Sequence, residues 1–203
     1  MNPWTALRSD TFRQYGRFTI GCLIKGAITR RTFRVVVTMR LCQCVNDSVG
    51  LFKITLPVFK LLHHIAVHAA AMDLSWRTEI GGGLALTHGW GLVVNPGAKI
   101  GTNVTLFHGV TLGRRDRISS EGKRLTEYPT IEDEVWIGPH AIIVGEVTIG
   151  RGSRIAGGAF VTESVPPYSV VSGNPATIVK SNCTPDVMNR APMGESSDIC
   201  TPD

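Results

Sequence analysis

Between Leu74 and Val161 the chain repeats itself every six residues, and that period rules out most of what a chain of this length can become. Leu74, Ile80, Leu86 and Leu92 share one phase. Val94, Ile100, Leu106 and Leu112 continue in a second, displaced by two residues, and Ile131, Ile137, Ile143, Ile149, Ile155 and Val161 complete a third. Small residues follow the aliphatic one at Gly81, Gly101, Gly113, Gly138, Gly150 and Ala156. A helix repeats at 3.6 and a strand at 2, so a period of six describes a short strand followed by a corner. Three such units, about 18 residues, close one triangular coil whose aliphatic side chains point inward and stack on the next coil at ~4.8 Å. A β-sandwich would need alternation in twos, which this stretch lacks.

The interruptions carry as much information as the repeats. The shift of phase at His88–Val94 is a two-residue insertion at one corner. The gap between Gly113 and Ile131 is a long extruded loop, RRDRISSEGKRLTEYPT. Stability requires neither, and insertions on one face of a solenoid are where function gathers.

Three regions follow: a basic helical segment over 1–72, the coiled region over 73–180, and a polar tail over 181–203, predicted to be frayed. In the first, Leu51, Phe52, Ile54, Leu56, Phe59 and Leu61 begin a broad apolar helical face that Leu62, Ile65 and Ala69 continue, with Pro57 as a break. The same segment holds ten Lys/Arg against Asp10 and Asp47, so it carries +8 of a net charge of +5, leaving −3 for the rest. Such asymmetry suits an anionic partner, including a membrane surface. A nucleic acid is excluded on the lack of any accompanying recognition motif. Five scattered Cys give neither a disulfide framework nor a zinc ribbon, and His64 and His68 lack an acid or Cys to complete a metal site. No signal-peptide pattern opens the chain, and residues 61–72, the closest to a spanning helix, carry three His. The expected address is the cytoplasm, in association with the inner face of the membrane if the basic segment meets lipid.

The stretches LALTHGWGLVVNPGAKIGTNVTLFHGVTLG (84–113) and IGPHAIIVGEVTIGRGSRIAGGAFVTESVPPYSVVSGNPATIV (137–179) resemble the left-handed β-helix acyltransferases. Within them, the chain is most similar to serine acetyltransferases and their relatives that acetylate polysaccharides. The resemblance implies a mainly β fold, a left-handed parallel β-helix with a helical segment before it. It also implies acetyl-CoA as co-substrate, no metal, and a homotrimer with sites between neighbouring β-helices, the extruded loop reaching across a neighbour. His88 then stands as catalytic base with Asp73, fifteen residues earlier, as its partner. The chemistry suits them: a neutral imidazole takes the proton of an alcohol, and a carboxylate on its other nitrogen fixes the tautomer. Acetyl-CoA would lie along the coils near Gly113, Gly138, Pro139 and Gly157, with Arg154 and Lys180 toward its phosphates. Thr87, Trp90, His108 and Tyr128 are the candidates for the acceptor site.

At the acceptor site the chain departs from the serine enzymes. Thr87 stands where they have Asp, and Glu127 and Tyr128 replace an Arg-His pair before Pro129. A carboxylate acceptor facing Glu127 at about 4 Å and an effective dielectric near 20 would meet a repulsion of about 4 kcal/mol. On this reading the acceptor is a saccharide hydroxyl in capsule, O-antigen or exopolysaccharide biosynthesis, with serine as the alternative and a non-catalytic trimeric scaffold as the alternative of another class.

Overall fold

In the computed structural model, which describes residues 1–192, four helices precede a three-sided β-helix. Helix α1 (Pro3–Tyr15) starts where Asn2 accepts the Trp4 N–H, with Pro3 in its first turn, and stops at Gly16. Helix α2 (Ile20–Thr29) is capped by the Thr19 hydroxyl, which accepts from Cys22 N–H. Helix α3 (Arg31–Asp47) lies at the centre: Val35, Val36, Met39 and Cys42 are fully buried against its neighbours and the first coil. Gly26 of α2 has no alternative here, since a Cβ would stand 2.6 Å from the Phe33 ring. A 3-10 turn (Gly50–Thr55) leads into α4 (Leu56–Ala69), with Pro57 in the first turn, where its missing N–H costs nothing. Pro57 therefore opens a helix, where the sequence pattern had suggested a break.

A buried ion pair between α1 and α3 is among the contacts that fasten the helices to the β-helix. Arg40 Nε donates to Asp10 at 2.8 Å, and the rest of the guanidinium donates to the carbonyls of Ile80 and Gly81. The other Asp10 oxygen accepts from Leu84 N–H at 2.8 Å. Burial pushes the Asp10 carboxyl upward and the Arg40 charge opposes it.

Five coils follow. The first comprises β1 (Asp73–Leu74), β2 (Glu79–Ile80) and β3 (Ala85–Thr87); the second β4 (Val93–Val94), β5 (Lys99–Ile100) and β6 (Thr105–Phe107). The third begins with β7 (Thr111–Gly113), extrudes the antiparallel hairpin β8 (Arg115–Ile118) and β9 (Arg124–Glu127), and resumes with β10 (Thr130–Ile131) and β11 (Trp136–Ile137). The fourth holds β12 (Ile142–Val144), β13 (Thr148–Ile149) and β14 (Arg154–Ile155), and the fifth β15 (Phe160–Val161), a bridge at Val165 and β16 (Val170–Ser172). Strand β17 (Thr177–Lys180) turns back antiparallel on β16. Stacked, they form a left-handed parallel β-helix with a first face β1-β4-β7-β12-β15, a second β2-β5-β10-β13 and a third β3-β6-β11-β14-β16.

The six-residue phases map onto its interior: Leu74, Val94, Leu112, Ile143 and Val161 stack down the first face, and each is at most 2% exposed. Leu92 differs from its expected place. It is buried, but at the corner before β4, and Val94 takes the inward strand position. The tail also differs. Residues 181–192 lie docked, with Cys183 and Ala191 buried and the Asn103 side chain bonded to both the N–H and carbonyl of Ala191. Residues 193–203 lie outside the described residues.

Candidate active site

The insertion seen in the sequence becomes a tight corner between the third face and the first. Asp73 pairs with Val93, twenty residues on, whereas Val93 pairs with Thr111, eighteen on. The two additional residues are absorbed where His88, Gly89 and Gly91 all take left-handed backbone, with φ of 62°, 66° and 68°. Histidine tolerates that region better than most residues. Gly89 takes a φ that favours glycine, and a Cβ there would also displace the end of the Met72 side chain. The result turns the His88 ring outward into an exposed position while Leu86 and Leu92 on either side stay buried.

Arg31, the first residue of α3, holds this corner. It donates to the His88 carbonyl at 2.6 Å and to the Ala70 carbonyl at 3.1 Å, and its guanidinium lies 3.4 Å over the Trp90 ring. Nothing in the hexapeptide pattern points to Arg31, because it sits outside the repeats. One face of Trp90 is thereby taken, and the residue as a whole remains 56% exposed. Gly91 N–H bonds to Ala71 O at 2.8 Å, so the corner is laid on the residues just before Asp73, which pairs in β1 with Val93 of the strand that leaves the corner. In the single chain no hydrogen bond links the Asp73 and His88 side chains among the described residues.

A column of imidazoles rises from this point. His108 follows β6 and His140 follows β11 at the same corner of the next two coils. The His88 and His108 ring centroids are 5.9 Å apart and those of His108 and His140 4.9 Å. His140 carried no assignment in the sequence, although it lies within the IGPHAIIVG segment. Above it the corner continues through Gly138 and Pro139 to Gly157 and Gly158, whose N–H bonds to Pro139 O. At ~4.8 Å per coil, the edge from His88 to Gly158 runs about 14 Å.

The sequence candidates therefore divide. Thr87, His88, Trp90 and His108 share one corner, with Gly138, Pro139 and Gly157 stacked beyond them, and Asp73 lies on β1 beside Val93 of the strand that leaves it. Gly113 and Tyr128 do not share that corner: they flank the hairpin at the corner between the first and second faces, a full face away. The glycines also differ in kind. A Cβ on Gly113 would stand 2.9 Å from Val144, and one on Gly138 2.8 Å from Gly157 and Trp136, so coil packing already claims both. At Gly158 a Cβ would meet nothing within 4 Å, and that stretch of edge is open. Arg154 pairs with Asp186 at 2.8 Å and lies over Trp136, while Lys180 is exposed on β17.

Glu127 corrects an inference drawn from its charge alone. It is buried, and the hairpin register sets it opposite Arg115, which donates to it at 3.0 Å, while Arg117 reaches its other oxygen. Two guanidinium groups outweigh one carboxylate, so this corner does not repel an anionic acceptor. His64 and His68 stand exposed on α4 with rings 4.0 Å apart.

Comparison with known proteins agrees with this geometry. Residues 128–163 match the family model for the bacterial transferase hexapeptide (six repeats). Serine acetyltransferase of Bacillus licheniformis is 36% identical over 125 residues, 62% of this chain and 56% of that protein. The chain thus spans little more than half the length of the curated relatives it matches. Among solved structures, serine acetyltransferase from Brucella abortus superposes with a TM-score of 0.68 at 30% identity, covering 89% of this chain and 71% of that one. The Brucella abortus enzyme in complex with coenzyme A superposes with a TM-score of 0.68 at 29% identity, over 89% and 70%.

Proposed function

We propose, on the premise that the chain belongs to the hexapeptide-repeat acyltransferases, that it transfers an acetyl group from acetyl-CoA to a hydroxyl with His88 as general base. The observation that carries this reading is the exposed His88 ring on a left-handed corner, at the foot of an open edge. The edge fits the co-substrate. It is long enough for an extended arm and open at Gly158.

Acetyl-CoA supplies the acetyl group and a thiolate leaving group. His88 accepts the acceptor's hydroxyl proton as the new C–O bond forms and yields it to sulfur as the C–S bond breaks, so no net proton is consumed. No residue needs to carry the acetyl group. Asp73, on β1 beside the strand that leaves the corner, would orient the imidazole and stabilise its cation once the site closes. Arg31 holds the corner from behind. In this reading the protein is a homotrimer whose neighbouring copy brings its hairpin corner, with Tyr128 and Arg115, against the His88 edge.

Serine is the first acceptor. The relatives above are serine acetyltransferases, and the Arg115–Arg117–Glu127 cluster leaves a positive balance for a carboxylate. A saccharide hydroxyl is the second reading, favoured by Thr87 in place of a carboxylate that would hold an ammonium. Thiol release from acetyl-CoA, measured with serine and with oligosaccharide acceptors, separates the two. If the chain binds coenzyme A but turns over with neither, the scaffold reading replaces both.

A further inference from the structure

The outward face of the helical segment has no part in the chemistry above. On α2, Ile20, Ile24 and Ile28 recur every four residues, each at least half exposed. On α4, Val58, Leu61, Leu62 and Ile65 form a second stripe at three- and four-residue spacing, continued backward by Leu51 and Ile54 in the 3-10 turn. An 18-residue window of the helical run Gly50–Ala69 has a mean hydropathy of 1.3 and only 17% of it is buried, which makes the run longer and more apolar than the sequence pattern suggested. A surface helix ordinarily turns its one apolar stripe inward. Here α4 already packs inward through His63, Ala66 and Val67, and still shows apolar residues to solvent. Contiguous exposed patches of this kind mark a docking surface.

Charge identifies the occupant. The segment bearing this face carries +8, with Arg17, Lys25 and Lys53 exposed beside the two stripes. A second copy of the same face would set like charge against like. We propose that α2 and the Gly50–Ala69 run dock flat on an anionic phospholipid surface, apolar side chains among the acyl chains and cations among the headgroups. The run lies on the bilayer and does not cross it. His63 is buried between the Thr38 hydroxyl, 3.0 Å away, and the Leu74 carbonyl, 2.9 Å away, and a spanning α4 would break both contacts.

The test uses the full chain and sedimentation with vesicles of phosphatidylcholine alone or mixed with phosphatidylglycerol. The expected result is binding to the mixed vesicles only, weakened by salt and by roughly fivefold for each of Arg17, Lys25 and Lys53 changed to Ala. Ile24→Glu combined with Leu61→Glu abolishes binding and leaves thiol release in solution unchanged, since both residues are exposed and away from His88. Absence of binding to the anionic vesicles, or equal binding to neutral ones, overturns the proposal. So does a result in which the double variant dissolves a larger assembly, seen by light scattering, and lipid binding is unaffected.

Discussion

His88 and His108 meet edge to face across adjacent coils, their ring centroids 5.9 Å apart and their planes at 77°. His108 Nδ1 is buried and has no hydrogen-bond partner among the described residues, and the ring is held by the imidazoles on both sides. His108→Phe keeps the packing and removes both nitrogens. It should raise the KM for the acceptor about tenfold and leave that for acetyl-CoA unchanged, as loss of one hydrogen bond to bound acceptor would. Steady-state kinetics with each substrate varied in turn checks this.

Arg31 acts on the reaction only through the corner that it braces. Arg31→Ala should lower kcat by about tenfold or more with little change in the KM of either substrate, because the base is displaced and the binding edge is intact. Arg31→Lys should not rescue it, since an ammonium cannot span both carbonyls while lying flat on Trp90. A merely structural role would show as a lowered melting temperature shared by both variants with kcat intact.

Asp10 and Arg40 join α1, α3 and the first coil in a region closed to water. Asp10→Ala leaves a guanidinium buried without its counter-charge and should cost about 3–5 kcal/mol in urea denaturation. Asp10→Leu combined with Arg40→Met should recover much of that loss, which separates the cost of the orphaned charge from the value of the pair.

His63 sits buried between α3 and the first coil, and burial holds its pKa below the usual imidazole range. A depressed pKa in the folded state means that the unfolded chain binds the proton more readily. The contribution of a neutral His63 is therefore present above about pH 6.5 and lost as pH falls through its lower folded value. Denaturation midpoints measured between pH 7 and 5 should decline in the wild type and decline less in His63→Gln.

The β-helix is legible in the sequence because its inward position recurs one residue in six and tolerates little but aliphatics: Ile131, Ile137, Ile143, Ile149 and Ile155 are all buried to within 1%. The place of the site is legible too, since a two-residue insertion has to surface at a corner. What a one-dimensional pattern does not carry is pairing at a distance. Asn103 meets Ala191 across 88 residues, so a polar tail that reads as frayed is docked as far as residue 192. Glu127 reads as a lone negative charge until the hairpin register sets Arg115 opposite it. Arg31 gives no signal because its partners are backbone carbonyls, which every residue has.

The most direct test of the central claim is the rate of thiol release from acetyl-CoA by His88→Asn with the preferred acceptor, beside a melting curve of the same sample. Loss of the general base should lower kcat by ~10²–10⁴ with the folded state intact. A variant that folds normally and still turns over at close to the wild-type rate would contradict the assignment of His88 as base.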